Sequence, residues 1–262
     1  MSAWMIALPS SEEFHSPGPA DFEFPPWLFG WFTKPMLIIV LSTVVVALFF
    51  WAATRRAGIV PGKLQFAAEG FYGFVRNSIA TDAIGREGIK YVPYLATLLA
   101  FLVTVNISGI IPFLQFPPTS RIAIPLFLAL ISWVIYNYMG IKRQGFGGYF
   151  KNMMFPAGVP VAIYPLLAPI EFLSTVVFRP ITLTLRLTFN MFAGHLVLLL
   201  CILGGEFLLL HVGGLIGYLA GAVSILFGIV MTFFEGFIQL LQAYVFVLLS
   251  AIYIGGALTH DH

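Results

Sequence analysis

The sequence predicts an all-α membrane protein: five membrane helices, one interfacial amphipathic helix, and a last pair of helices that is long and strongly tilted. Three observations carry this. Thirteen Lys/Arg and eleven Asp/Glu make only 9% of 262 residues charged, against about 25% in soluble domains. Hydrophobic residues reach 60%, more apolar surface than a soluble globule of this size can hide, so a soluble enzyme, a nucleic-acid binder and a disordered chain are excluded. The charges are also unevenly placed, leaving long runs without any Asp, Glu, Lys or Arg.

A bilayer core of about 30 Å needs about 20 apolar residues per helix. The charge-free runs place spans at 36–54, 91–114 and 122–141. Beyond them, single charges at Glu171, Arg179, Arg186, Glu206 and Glu235 interrupt otherwise apolar sequence, which reads as two helices over 165–203 and 208–257. Both exceed what an upright span requires, so each must tilt, bend or project. Glu206 and His211 then fall in a short outer turn.

Segment 63–79 differs. Leu64, Phe66, Ala67, Phe71, Phe74, Val75 and Ile79 keep helical spacing, while Lys63, Gln65, Glu69, Arg76 and Asn77 fill the other face. It is too polar to span and is expected to lie flat in the interface. Residues 1–34, with four carboxylates and five prolines, form an exposed or interfacial arm; 35–262 form a single membrane domain.

Lys and Arg set the orientation. Arg55, Arg56, Lys63, Arg76, Arg86 and Lys90 separate the first two spans, and Lys142, Arg143 and Lys151 follow the third; the opposite loops hold only Arg121. The positive-inside rule then puts the N-terminus outside and the C-terminus inside. A lone Cys201 excludes a disulfide framework, a zinc cluster and a haem motif. RQGFGG (143–148) lacks the Lys-Ser/Thr of a phosphate loop, and the His260/His262 tail is too short for a metal site. No cofactor is expected.

Ionisable groups within apolar helices are costly and point to function as a hypothesis. Arg186 is the first; a structural Arg paired with a carboxylate on another helix remains the competing reading. Asn190, four residues on, shares its face, whereas His195 lies about half a turn away. Glu235, Gln239 and Gln242 form a polar stripe on the last helix, extended by Thr232 and Ser224. Such a stripe must face protein or water. Gln239 is read as interhelical glue. Glu235 needs a cation, a proton or water, and His195 on the preceding helix is its natural partner for proton transfer. Asn106 is expected to satisfy a backbone freed near Pro112. Glu171 either lines an aqueous entrance or pairs with Arg179.

RPITLTLRLTFNMFAGHLVLL (179–199) and LLQAYVFVLLSAIYI (240–254) resemble the last two helices of the subunit a family of F-type ATP synthases. PGKLQFAAEGFYGFVRNSI (61–79) and NISGIIPF (106–113) are similar to its earlier helices, and the likeness runs from about residue 30 to the C-terminus. The resemblance implies a non-catalytic stator subunit that forms two aqueous half-channels against a ring of c subunits. It implies an essential Arg at Arg186 and a proton path through Asn190, His195, Glu235, Gln239 and Gln242, with Glu171 on the inner side. Peripheral-stalk b subunits, membrane lipid and protons are the implied partners, with no nucleic acid. The implied place is a bacterial plasma membrane, or alternatively a mitochondrial inner membrane. An independent proton-coupled secondary transporter is the rival; it requires matched broken helices in repeated halves, and none is visible.

Overall fold

The computed structural model describes residue 18 and residues 33–55, 58–111, 116–155, 163–212 and 214–258. The arm over 1–34, apart from Gly18, Thr33 and Lys34, and the His260/His262 tail lie outside the described residues. Every regular element among the described residues is helical, and five helices are long and apolar enough to cross a membrane.

The first, α1, is Lys34–Arg55. The amphipathic segment is α2, Lys63–Val75, continued by a π turn Arg76–Thr81 and by Asp82–Ile84. It runs five residues beyond the predicted end, because Ile79 and Ala80 are buried against the core and keep the helix going. Span α3, Arg86–Ile107, begins in a 3-10 turn and stops seven residues short of the predicted limit. Ser108 and Gly109 turn the chain there, and a proline ahead at 112 bars helix continuation. Span α4 is Ala123–Gln144.

A short helix that sequence reading missed, α5 (Phe146–Met154), folds back on α4. Its Tyr149 ring lies where a Cβ at Gly140 would stand, and its hydroxyl donates to Asn137 Oδ1 at 3.0 Å. Burial pushes the Tyr149 phenol above its ordinary range, with the Arg179 guanidinium pulling it the other way.

The two long helices are α6, Tyr164–Val212, and α7, Gly214–Leu258, with 49 and 45 residues. At about 1.5 Å per residue they measure roughly 74 and 68 Å, more than twice the hydrocarbon core. The expected break at 204–207 is a correction: Glu206 sits inside α6, which closes in a π turn Leu208–Val212. The chain reverses at Gly214, whose φ of +71° suits glycine. Pro169 and the π turn Ser174–Phe178 are the features that let α6 bend.

α6 and α7 pack antiparallel along glycines. A Cβ on Gly205 would meet Gly221 O at 3.2 Å, and one on Gly228 would meet Cys201 Cβ at 3.4 Å. Small residues give membrane helices this closeness. The main core joins the end of α2 to α3, α4, α6 and α7 through Val75, Leu95, Leu102, Leu187, Met191 and Val247. At one end, Arg143 pairs with Glu87, and Gln144 Nε2 donates to Ala257 O at 3.1 Å. The ends of α3, α4 and α7 therefore meet on the side that carries most of the described Lys and Arg. Arg121 lies at the opposite end, after α3.

Candidate functional site

The site is built where α3 and the turn after it press against α6 and α7. Gly194 on α6 has no side chain, and the Glu235 carboxyl of α7 fills that space: a Cβ on Gly194 would stand 3.3 Å from Glu235 Cδ. Half a turn from Arg186, His195 brings Nδ1 to 3.6 Å from Glu235 Oε1. Both residues are buried, at 6% and 4% exposure. The two side chains expected to be partners are thus neighbours in the structure.

Gln239, fully buried, donates from Nε2 to Glu235 Oε1 at 3.2 Å. That bond lies within one helix, so the side chain is not the interhelical glue expected of it. The glue comes from Asn106, whose Nδ2 donates to the Gln239 backbone carbonyl at 3.2 Å. Thr119 in turn donates to Asn106 Oδ1 at 2.9 Å. Asn106 therefore serves the backbone of α7; the stretch from Pro112 to residue 115, on which its expected role falls, lies outside the described residues. Gly109 completes the contact, since a Cβ there would sit 3.1 Å from Gln239 Nε2.

α3, the loop residue Thr119, α6 and α7 thus converge around the turn of α7 that carries the Glu235 carboxyl group. Its second oxygen, Glu235 Oε2, and Gln239 Oε1 have no hydrogen-bond partner among the described residues. Buried polar atoms are nearly always partnered, by protein or water. The wider polar stripe expected on α7 is shorter than the sequence suggested. Ser224 donates to Cys201 O at 2.8 Å and Thr232 to Gly228 O at 2.9 Å, so their hydroxyls serve the backbone. Gln242 is half-buried at the edge of the packed face.

Arg186 behaves differently. It is exposed, on a stripe of α6 continued by Phe189, Ala193, Val197 and Leu200. It makes no ion pair with any carboxylate among the described residues, against the structural reading of this Arg. Asn190, one turn on, is half-buried. The close approaches of Gly205 to Gly221, Cys201 to Gly228 and Gly194 to Glu235 run in one antiparallel register. Continued about two turns further, that register carries Arg186 to the level of Gln242 and Ala243.

Glu171 is half-buried on the basic side: the neighbouring Phe172 ring lies 6.4 Å from Phe150 of α5. It does not pair with Arg179, whose guanidinium stands 4.9 Å from the centre of the Tyr253 ring. The structure thus brings His195, Glu235 and Gln239 together near the end opposite the Lys/Arg. It leaves Arg186 on the outer surface and Glu171 toward the basic side. Among the described residues no cluster of His, Cys, Asp and Glu is suited to hold a metal ion.

The family described as ATP synthase A chain matches residues 36–255. A protein of Nocardioides sp. (strain ATCC BAA-499 / JS614) is 46% identical over 100% of this chain and 99% of its own length. One from Frankia alni is 42% identical over 99% of this chain and 91% of its own, and one from Streptomyces lividans 46% over 95% and 89%. All three are named ATP synthase subunit a.

Proposed function

The chain belongs to the ATP synthase A chain family, and from that premise we propose that it is the proton-translocating stator subunit of a rotary F-type ATP synthase. Held in place by peripheral-stalk b subunits, it works against a rotating c-subunit ring. It lies in a bacterial plasma membrane with its basic side in the cytoplasm and its N-terminal arm outside. It makes no covalent bond; ATP forms elsewhere in the complex.

The observation that carries this reading is the separation of two sites on one helix. Arg186 is exposed on an apolar stripe, while the His195–Glu235 pair lies buried behind the same helix. Nine residues separate Arg186 from His195, about 13 Å of rise. An exposed guanidinium is costly against lipid. Set against a ring carboxylate it becomes useful: the always-charged Arg stabilises that carboxylate's ionised form at one angular position. It also repels a proton moving straight across, so the two half-channels stay separate.

On the outer side, protons reach the ring through a crevice at Glu235, His195, Gln239, Asn190 and Gln242. The buried acceptors Glu235 Oε2 and Gln239 Oε1 support water there. The protonated ring carboxylate is neutral and turns into lipid. After nearly a full rotation the proton leaves beside Glu171. The membrane potential supplies about 2.3 kcal/mol per charge per 100 mV. The length of α6 and α7 supports an oblique course that wraps the ring and leaves wedges of water above and below.

Cross-linking tests the docking face. A cysteine replacing exposed Ala193 is expected to form a disulfide with a cysteine beside the ring carboxylate, and one replacing buried Leu187 to form none. The reverse pattern would remove the ring from this face.

A further inference from the structure

We propose that the cleft between α1 and α2 is a binding site for the headgroup of a phosphatidylethanolamine-type lipid. The cleft measures about 330 Å³, at the small end of ligand-binding sites. Its floor is apolar, formed by Phe50, Ala53 and Ala68, and its rim carries Thr54, Glu69 and Arg76.

Depth argues for a lipid. Trp51, next to Phe50, is exposed, and the Arg55 guanidinium stands 4.7 Å from the centre of its ring. Trp and Arg at the end of a span mark the headgroup level. α2 leaves the span there as an amphipathic helix, so the angle between the two opens at the height of lipid phosphates and ammonium groups.

Charge argues for which lipid. Glu69 and Arg76 are seven residues apart on α2 and its π turn, about 10 Å along the axis. They do not pair with each other. The Glu69 carboxylate is held ready: Gln65 Nε2 donates to its Oε1 at 2.7 Å. Gln65 is itself clamped to Gly58, donating to its carbonyl at 3.2 Å and accepting from its N–H at 3.1 Å. One fixed anion and one cation on the same rim match a headgroup with an ammonium two methylenes from a phosphate. The ammonium donates to Glu69 and Thr54, and the phosphate accepts from Arg76. A choline headgroup has no N–H to donate. A glycerol headgroup has no cation and meets Glu69 with a like charge nearby.

The test uses the intact ATP synthase complex containing this chain, washed in detergent and exposed to equal amounts of phosphatidylethanolamine, phosphatidylcholine and phosphatidylglycerol with identical acyl chains. Retained lipid is counted by mass spectrometry. Wild type is expected to keep the ethanolamine lipid roughly tenfold over the choline lipid, the worth of one charge-assisted hydrogen bond. Glu69→Gln removes the charge assistance and should cut that ratio to about two or three, what neutral acceptors sustain, while the phosphate contact persists. Arg76→Gln should lose all three lipids. Gly73→Leu is a second variant that leaves the charges alone; nothing lies within 4 Å of a Cβ at Gly73, and its side chain should fill the cleft and displace the lipid. Equal retention of ethanolamine and choline lipids by wild type, or an undiminished preference in Glu69→Gln, overturns the proposal. So does a Thr54→Cys variant that cross-links to another subunit, since the cleft would then be a protein interface.

Discussion

His195 and Glu235 stand with Nδ1 and Oε1 3.6 Å apart, and both side chains are buried. The only other ion-pair geometry among the described residues, Arg143 with Glu87, is largely exposed and in that setting is worth little, about 0–1 kcal/mol. The buried pair is different in kind. Removing one partner of a buried pair leaves the other uncompensated in a low-dielectric site.

That contact leads to an exchange experiment. His195→Glu alone sets two carboxyls face to face, and Glu235→His alone sets two imidazoles. Each single change is expected to cut proton-driven ATP synthesis by roughly tenfold or more, about 1.4 kcal/mol in barrier. The double exchange restores the complementary pair and should recover part of the rate. A double variant no better than either single variant would mean that the two groups act apart.

Asn106 is the second test. It donates to the Gln239 carbonyl and accepts from Thr119, both buried. Asn106→Leu strands both partners and should lower the stability of the complex by about 1–3 kcal/mol, read as a fall in Tm. Asn106→Asp keeps the acceptor for Thr119 and should fall between. An unchanged Tm in Asn106→Leu would show that these bonds do not hold α3 to α7.

Gly205 tests the hairpin. A Cβ there would lie 2.7 Å from Ile225 Cγ1 and 3.2 Å from Gly221 O. Gly205→Ala must part α6 from α7 and should cost about 1–3 kcal/mol. Gly256, on the same pair of helices, has nothing within 4 Å. Gly256→Ala should be neutral or stabilise by about 0.5–1 kcal/mol through helix propensity. Equal effects at the two positions would contradict the packing described.

Much of this architecture is legible in the sequence, because a bilayer turns span length into a count of apolar residues. α1 and α4 fall within three residues of expectation for that reason. The errors have local causes. Glu206 looked like a boundary, but a charge at the end of a long apolar helix is tolerated when it is exposed, and α6 continues past it. Ser108 and Gly109 ended α3 early, where an apolar count ran on to 114. The short α5 carried only nine residues of signal, and its anchor, Tyr149 in the notch at Gly140, is a long-range fit. At the site, the spacing of His195 and Glu235 pointed to a pair because both are ionisable in apolar helices. The shared link through Asn106, Thr119 and the Gln239 carbonyl was hidden. A backbone carbonyl carries no residue-type signature, and the contact joins positions 133 residues apart.

The most direct measurement is proton-driven ATP synthesis in membranes carrying Arg186→Ala, with assembly of the complex verified in the same preparation. We expect normal assembly, since the side chain is exposed and makes no ion pair among the described residues, and no detectable synthesis. Synthesis at the wild-type rate would contradict a fixed guanidinium as the group that controls where ring carboxylates release their protons.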